Sequence, residues 1–419
     1  MPSPLHFGIF CPPIPGHINP LAALGRVLTS RGHRVTVFQV AELEPKIRSE
    51  QLEFVALGRE HFPAGALASS IEKLSALSGI TSLKYAVECE RQMSQHILEF
   101  APEAVQAAGI DALLVDQNEP AGGTVAEHLK RPFISICTSL PLNREPLIPP
   151  PFVGWAWSDS EWARWLNKIG YAFSDHFISP IQDTLNRYRK RWNLPLLHTP
   201  DDSFSRLAQL AQMPQRFDFP RQRLPSGFHY LGPWFDHLSA QIPFPFEKLD
   251  RRPLIYASLG TLQRKDHHYF RLIAEACAGL DVQLVLSLGD ATGTGIPSLP
   301  GSPLVVSYAP QSDLLRRAAL TITHAGMNTT QQSLYFGVPI VAIPLTHDQP
   351  AIAARLARTG AGVVIMPRRL SSQRLRTAVE LILPGDSSYR KQARSMQEVI
   401  QQAGGPNRAA DIVEQVAGY

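Results

Sequence analysis

Residues 308–349 read YAPQSDLLRRAALTITHAGMNTTQQSLYFGVPIVAIPLTHDQ, and the fold is decided by how this stretch alternates. A strand ends at a polar turn, and the pattern then predicts a short helix over 312–317 and a second strand over 319–323. A small-residue turn follows at His324, Ala325 and Gly326, then a helix opening at Asn328 and Thr329, then a β-branched strand over 338–343. A strand that passes through a glycine turn into a helix leaves unpaired backbone N–H groups at the positive end of the helix dipole. Such a place holds a phosphate.

The surrounding residues add what a diphosphate would need. His324 can donate to a phosphate oxygen, and the side chains of Asn328, Thr329 and Thr330 occupy N-cap-like positions from which they could bond the same anion. Tyr308 before Pro310 offers a flat face to a base, and Gln311 can pair with a base edge or a ribose hydroxyl. Asp348 and Gln349, after the last strand, suit a sugar. The plainer alternative is that Asn328 and Thr329 only cap a helix and Gly326 only ends a strand.

The order of the parts resembles the donor-binding signature of the family 1 (UDP-dependent) glycosyltransferases. There W-x-P-Q precedes H-x-G-x-N-[ST]-x-x-E, then G-V-P, then P-x-x-x-[DE]-Q. The matching residues are Tyr308, Pro310 and Gln311; His324, Gly326, Asn328 and Thr329; Gly337, Val338 and Pro339; and Pro344, Asp348 and Gln349. The resemblance implies a donor site of Tyr308, Ala309, Gln311, His324, Gly326, Asn328, Thr329, Gln332, Asp348 and Gln349, joined by Ser258 and Thr261 from an earlier strand end. Two positions depart from the pattern. Tyr308 replaces Trp and keeps a stacking face, whereas Gln332 replaces a Glu that accepts from the ribose hydroxyls, and a neutral amide accepts more weakly than a carboxylate.

Composition sets the outer limits. With 419 residues, 44% hydrophobic content and a mean hydropathy of −0.08, the chain is long enough for two domains with separate cores. A net charge of +4 gives no reason to expect nucleic acid. Cys11, Cys89, Cys137 and Cys277 form no C-x-x-C pair, which favours a reducing compartment and speaks against a zinc site. No secretory leader and no membrane-length apolar run is apparent, so a cytoplasmic protein is expected.

At the other end of the chain, a strand over 5–10 runs into CPPIPGHINPLAALGRVLTSRGHRVTVF. Pro15 and Gly16 make a turn, and a helix with Leu21, Leu24, Val27 and Leu28 on one face ends near Gly32 before a strand over 35–38. His17 thus lies at the carboxyl end of a parallel strand, the edge at which doubly wound sheets bind ligands. A further strand, 112–115, runs into Asp116 at the same edge. Alone, either residue reads as a cap or turn former. P-G-H-x-N-P also resembles the glycosyltransferase family, which implies His17 as catalytic base and Asp116, about a hundred residues on, as the group that orients it.

Residues 139–177 hold a proline-rich loop and then a helix, with four of the six tryptophans at 155, 157, 162 and 165. Trp162, Trp165, Leu166, Ile169 and Phe173 share one helical face, with Arg164 and Lys168 off it. This face is read either as an ordinary core stripe or as an apolar wall, with Phe152 and Trp155, for a lipid-like acceptor or a membrane surface. The basic run over 186–192, NRYRKRW, would add attraction to anionic lipid. Within the family, VDQNEPAG, SLPLNREP and THAGMNT look most like the subgroup that glucosylates carotenoids.

The expectation is therefore an α/β chain of the GT-B fold, two doubly wound, Rossmann-like domains facing across a cleft. The acceptor domain is expected over 1–235, a linker over 236–252 and the nucleotide-sugar domain over 253–419, with the last helix packing back on the first domain. The resemblance implies an inverting hexosyltransferase that moves glucose from UDP-glucose, a co-substrate and not a cofactor, to a hydroxylated carotenoid such as zeaxanthin. No Asp-x-Asp triplet is present, so no metal is expected. The alternatives are transfer to a sterol, polyketide or flavonoid, a nucleotide-sugar epimerase, and a non-catalytic nucleotide-sugar-binding protein.

Overall fold

The structure is a computed structural model describing residues 4–77, 79–235, 242–260, 267–289 and 298–418. Among these residues two all-parallel sheets form. The first is built from β1 (His6–Phe10), β2 (Arg34–Gln39), β3 (Glu53–Ala56), β4 (Ala112–Asp116), β5 (Phe133–Cys137), β6 (Gln209–Ala211) and β7 (Phe228–Tyr230). The second contains β8 (Leu254–Ser258), β9 (Gln283–Ser287), β10 (Leu304–Val306), β11 (Ala318–Thr323), β12 (Ile340–Ala342) and β13 (Gly362–Val364). Strands such as HFGIF, ALLVD and LIYAS are buried along their whole length because helices cover both faces of a parallel sheet. The expected two doubly wound sheets are present.

Strand order places the functional edge. The first sheet runs β3-β2-β1-β4-β5-β6-β7 and the second β10-β9-β8-β11-β12-β13, so the order reverses between β1 and β4 and between β8 and β11. Such switch points open a crevice at the carboxyl ends of the strands. Register brings the ends level: Phe10 pairs with Val115, and Thr323 pairs with Ser258. His17 and Asp116 therefore emerge at one crevice, and His324 and Ser258 at the other.

The strands β6 and β7 were not anticipated. Each is three residues long and carries no periodicity of its own, so only pairing along the edge after β5 makes it a strand. Their neighbourhood joins the two halves. Cys137, Leu140, Ala211, Met213 and Phe217 share a buried apolar cluster with Ala325, Met327, Leu334, Ile352, Met396 and Ile400 of the second half. Beside it Asp218 accepts from Arg221 Nε at 2.6 Å, Arg355 Nε at 2.7 Å and the Tyr230 hydroxyl at 2.9 Å. The last helix, Gly405–Ala417, crosses back to the helix Pro15–Ser30, where Ala409, Ala410 and Val413 join the first core and Arg31 pairs with Asp411 and Glu414.

The Asp218 side chain is 1% exposed, as is that of Arg355, so neither charge has water to fall back on. Burial pushes the Asp218 carboxyl up, but Arg221 and Arg355 outweigh it and bring it to about 2. The sign follows: this carboxylate stabilises the fold above its ordinary value of 3.8, and the contribution is lost as pH falls toward 2. Removing it strands two buried guanidiniums. Asp218→Ala is expected to lower stability by about 3–5 kcal/mol, read as a fall in the denaturant midpoint at neutral pH. An unchanged midpoint would mean that the arginines find other partners.

Candidate active site

Pro15 occupies the first turn of the helix Pro15–Ser30, where its missing N–H costs nothing, and it fixes the entry so that His17 stands in the same turn. His17 Nδ1 lies 2.8 Å from Asp116 Oδ2. Thr138, just past the end of β5, donates its hydroxyl to that same oxygen at 2.6 Å and lies 2.7 Å from His17 Nδ1. Asp116 Oδ1 accepts from the Asn118 backbone N–H at 2.9 Å. These contacts orient the ring: Nδ1–H faces the carboxylate, which leaves the lone pair on Nε2.

Charge reinforces this geometry. Asp116 is fully buried, whereas the His17 side chain is 16% exposed. Burial alone would lower the His17 pKa. The Asp116 charge and hydrogen bond, with Asp348 and Glu90 acting from farther away, outweigh it and hold the imidazole above its usual 6.5. Burial likewise pushes Asp116 up, and His17, Thr138 and the Asn118 N–H bring it below the usual carboxylate value. Two further carboxyls act on this region. Glu90, on the helix Gly79–Ala108, keeps access to solvent, whereas Glu119, which follows β4, is buried, and burial raises it well above the ordinary range. Glu119 Oε1 is buried without a hydrogen-bond partner.

Across the crevice the second sheet supplies the turn read from the sequence. His324 follows β11, and the next helix is Met327–Tyr335 with Gly326 as its N-cap. The helix thus opens one residue earlier than expected, and no side chain caps it. Neither Asn328 nor Thr329 caps the helix: Asn328 Nδ2 donates one N–H to the Gly16 carbonyl at 3.1 Å and keeps the other, and Thr329 Oγ1 donates to Gln311 Oε1 at 3.3 Å. Thr330 is wholly buried and does not reach the crevice. The helix-start N–H groups are therefore left for an anion.

The His324 ring is wedged between two glycines. A Cβ at Gly326 would lie 2.5 Å from Nε2, and one at Gly260, whose φ of +78° already favours glycine, would lie 2.7 Å from Cε1. Burial lowers the His324 pKa to about 4 despite the Asp348 charge, so this histidine is neutral at pH 7 and offers a phosphate one N–H without a charge. Ser258 ends β8 beside it. Thr261 lies outside the described residues.

The remaining predicted donor contacts divide. Tyr308 is 40% exposed and free to stack, while Ala309 beside it is buried. Gln311 donates from Nε2 to Gln332 Oε1 at 2.9 Å, so the amide that replaces the family's Glu already shares its acceptor oxygen. Asp348 accepts a short hydrogen bond from the Ser139 hydroxyl of the first half. Gln349 Oε1 accepts from the Leu345 and Thr346 N–H groups at 2.8 and 2.9 Å, so its carbonyl end serves its own loop.

The tryptophan face is not core. On the helix Glu161–Arg191, Trp162 is 65% and Trp165 52% exposed, with their rings stacked at 4.8 Å, and Ile169 and Phe173 are open as well. The helix docks through its opposite face, where Asn167 donates to the Pro146 carbonyl and Ile181 and Leu185 enter the core. Trp155 is half-buried against Gly170, and Phe152 stands at the surface. The basic run does not adjoin the tryptophans. It ends the same helix, and from Trp165 to Arg189 the axis rises about 36 Å. Arg189 is itself buried, paired with Glu127 at 2.7 Å.

Comparison with known proteins identifies the family and the fold. Residues 271–416 match the family model described as Erythromycin biosynthesis protein CIII-like, C-terminal domain. The zeaxanthin glucosyltransferase of Pantoea ananas is 34% identical, over 98% of this chain and 96% of its own. That of Pseudescherichia vulneris is 35% identical, over 99% of this chain and 98% of its own. Among solved structures, the glycotransferase of kitacinnamycin superposes with a TM-score of 0.76 at 23% identity, covering 99% of this chain and 100% of that one. The calicheamicin glycosyltransferase CalG4 gives 0.75 at 22%, with 99% of both chains covered. These likenesses define the fold as GT-B. At the identities of the two relatives, the chain belongs to the family 1 (UDP-dependent) glycosyltransferases and is a transferase.

Sequence reading did not single out Thr138, Ser139, Gln212, Glu90 or Glu119. Thr138 and Ser139 directly follow β5 and so stand at the same edge as Asp116, a place that the apolar run FISIC before them marks in the sequence. Asp116→Asn removes the charge that raises His17. If His17 is the group titrated in activity, the acid limb of kcat/KM moves to lower pH while the plateau falls. A limb unmoved by the substitution would show that another group sets it.

Proposed function

We propose that the chain moves a hexose, glucose in our reading, from a UDP-sugar to a hydroxyl of an apolar acceptor, a hydroxylated carotenoid such as zeaxanthin. The observation that carries the reading is the His17–Asp116 pair at one switch point facing the His324 turn at the other. His17 Nε2 takes the acceptor hydroxyl proton as the oxygen bonds to the anomeric carbon, and Asp116 stabilises the imidazolium. The bond from that carbon to the phosphate oxygen breaks, and UDP leaves with the electron pair. One displacement inverts the carbon. The helix start after Gly326, with His324 and Asn328, meets the charge on the leaving diphosphate, a task that calls for no metal in this reading.

In this scheme residues 1–235 hold the acceptor, 253–419 hold the nucleotide sugar, and 236–252 link them. The zeaxanthin glucosyltransferases, full-length relatives at 34% and 35% identity, support the acceptor and the sugar. Among the described residues no helix is long and apolar enough to cross a membrane. An insoluble acceptor must then be collected at a membrane surface, and the open face of Trp162, Trp165, Ile169 and Phe173, with Arg164 and Lys168 beside it, suits that contact. Burying each large apolar side chain yields roughly 1.5–3 kcal/mol, enough for several together to hold the protein loosely.

Incubation with UDP-glucose and zeaxanthin, beside flavonoids and sterols, should give a zeaxanthin glucoside by mass spectrometry. His17→Ala should cut its formation by about 10²–10⁴-fold. A preference for a small polar phenol would overturn the acceptor, and near-full activity of His17→Ala would overturn the base. In flotation with liposomes containing anionic lipid, Trp162→Ala/Trp165→Ala should float less than the parent chain. Equal flotation would remove the helix face from the reading.

A further inference from the structure

The two switch points are joined by a closed circuit of hydrogen bonds that runs through one residue outside the motifs. Gln212 follows β6, is 1% exposed, and uses its side-chain NH2 twice. One N–H donates to the Thr138 carbonyl in a short contact, and the other donates to Asn328 Oδ1 at 3.0 Å. The Thr138 hydroxyl is bonded to Asp116 and lies against His17. Asn328 closes the circuit by donating from Nδ2 to the Gly16 carbonyl, the residue before His17. The base, its carboxylate and the helix start of the phosphate turn thus share one hydrogen-bonded ring that crosses between the two sheets.

We propose that Gln212 is a positioning residue that fixes which end of the Asn328 amide faces the nucleotide sugar. This rests on the reading of the Asn328 region as the diphosphate seat. An Asn side chain can be turned either way, since its oxygen and its NH2 differ little in shape. Gln212 has only N–H to offer at this contact, because the same NH2 group is already aimed at the Thr138 carbonyl, which can only accept. The Asn328 oxygen is therefore drawn toward Gln212. Its NH2 is directed to Gly16 and, with one N–H to spare, to the crevice. A diphosphate accepts hydrogen bonds and donates none, so only this orientation is favourable beside it. The same NH2 group ties Thr138, and hence the dyad, to the seat, so the spacing of base and leaving group depends on one side chain.

A glutamate at this position reverses the polarity. Its carboxylate accepts where Gln212 donates, so it favours the turned Asn328 with its oxygen toward the anion, and it repels the Thr138 carbonyl. Gln212→Met keeps the volume and removes both bonds. Binding of UDP to the full chain, measured by calorimetry, reads the effect without needing the acceptor or turnover. Gln212→Met is expected to weaken UDP binding by about 3- to 10-fold, the range for one hydrogen bond, and Gln212→Glu by more. The KM for the acceptor should stay within about twofold.

A double-substitution cycle separates positioning from general loosening. If Gln212 acts through Asn328, then in an Asn328→Ala background Gln212→Met adds no further loss of UDP affinity. Independent, additive losses would overturn the proposal, as would unchanged UDP binding in both Gln212 variants while Asn328→Ala weakens it. Full UDP affinity of Asn328→Ala would instead overturn the donor-seat reading, and the proposal with it. Should Gln212→Met not fold, Gln212→Glu alone or with Asn328→Ala gives the same comparison, and thermal melting identifies a variant that has merely lost its structure.

Discussion

The chemistry of this protein depends on two sheet edges being held face to face, and the contact that holds them is built around Asp218. A carboxylate so deeply buried is costly unless its partners are fixed, and here two guanidiniums and a phenol converge on it from both halves. Arg355 belongs to the second half and also lies over the Phe219 ring at 4.2 Å, so charge and stacking act on the same group. An apolar cluster drawn from both halves surrounds the pair. Apolar burial supplies the attraction but tolerates sliding. The directional bonds of Asp218 define which residues of one half meet which of the other, and the hydrogen bonds across the crevice, from Ser139 to Asp348 and from Gln212 to Asn328, need that register.

A histidine stands at each switch point, and their surroundings drive the two rings in opposite directions. Both lose water, which by itself disfavours the charged ring. His17 has a carboxylate in direct contact, and that charge outweighs the loss. His324 has two glycines against its faces, the Thr323 hydroxyl, the Ser258 backbone and a distant Asp348, but no carboxylate in contact, so desolvation wins. One fold thereby presents a ring suited to taking up a proton and a ring that stays neutral at pH 7. The distinction arises from one carboxylate in direct contact, which His17 has and His324 lacks.

The helix Glu161–Arg191 turns the usual amphipathic rule around in its first half. Its apolar stripe is the open one, and the buried side is formed by Asn167 and Gly170 against the proline-rich loop. Only from Ile178 onward do aliphatic residues of this helix join the core cluster. Anchorage thus comes from the far end and from a side-chain amide, which frees the tryptophans from any packing duty. Their exposure carries no internal stabilisation, and it is the largest open aromatic feature among the described residues.

By itself the sequence determined the alternation of strand and helix, the placement of His17, Asp116 and His324 at strand ends, and the glycine turn before Asn328. These are local matters: a strand's period, a proline at a helix start and a glycine against a ring are each written within a few residues. Family resemblance then bound them into one kind of protein, because the spacing of the parts is itself a sequence property. The tertiary structure alone decided the rest. Periodicity shows that Trp162, Trp165 and Ile169 share a face but not whether that face turns inward, since burial depends on what the opposite face finds to pack against. The three-residue strands β6 and β7 exist only by pairing along an edge, so no local pattern marks them. Thr138, Ser139 and Gln212 reach the site because parallel pairing levels the ends of β4, β5 and β6, and the partners Asn328 and Asp348 stand more than a hundred residues away. A contact across that separation is set by how two sheets dock, and docking is a property of the whole surface.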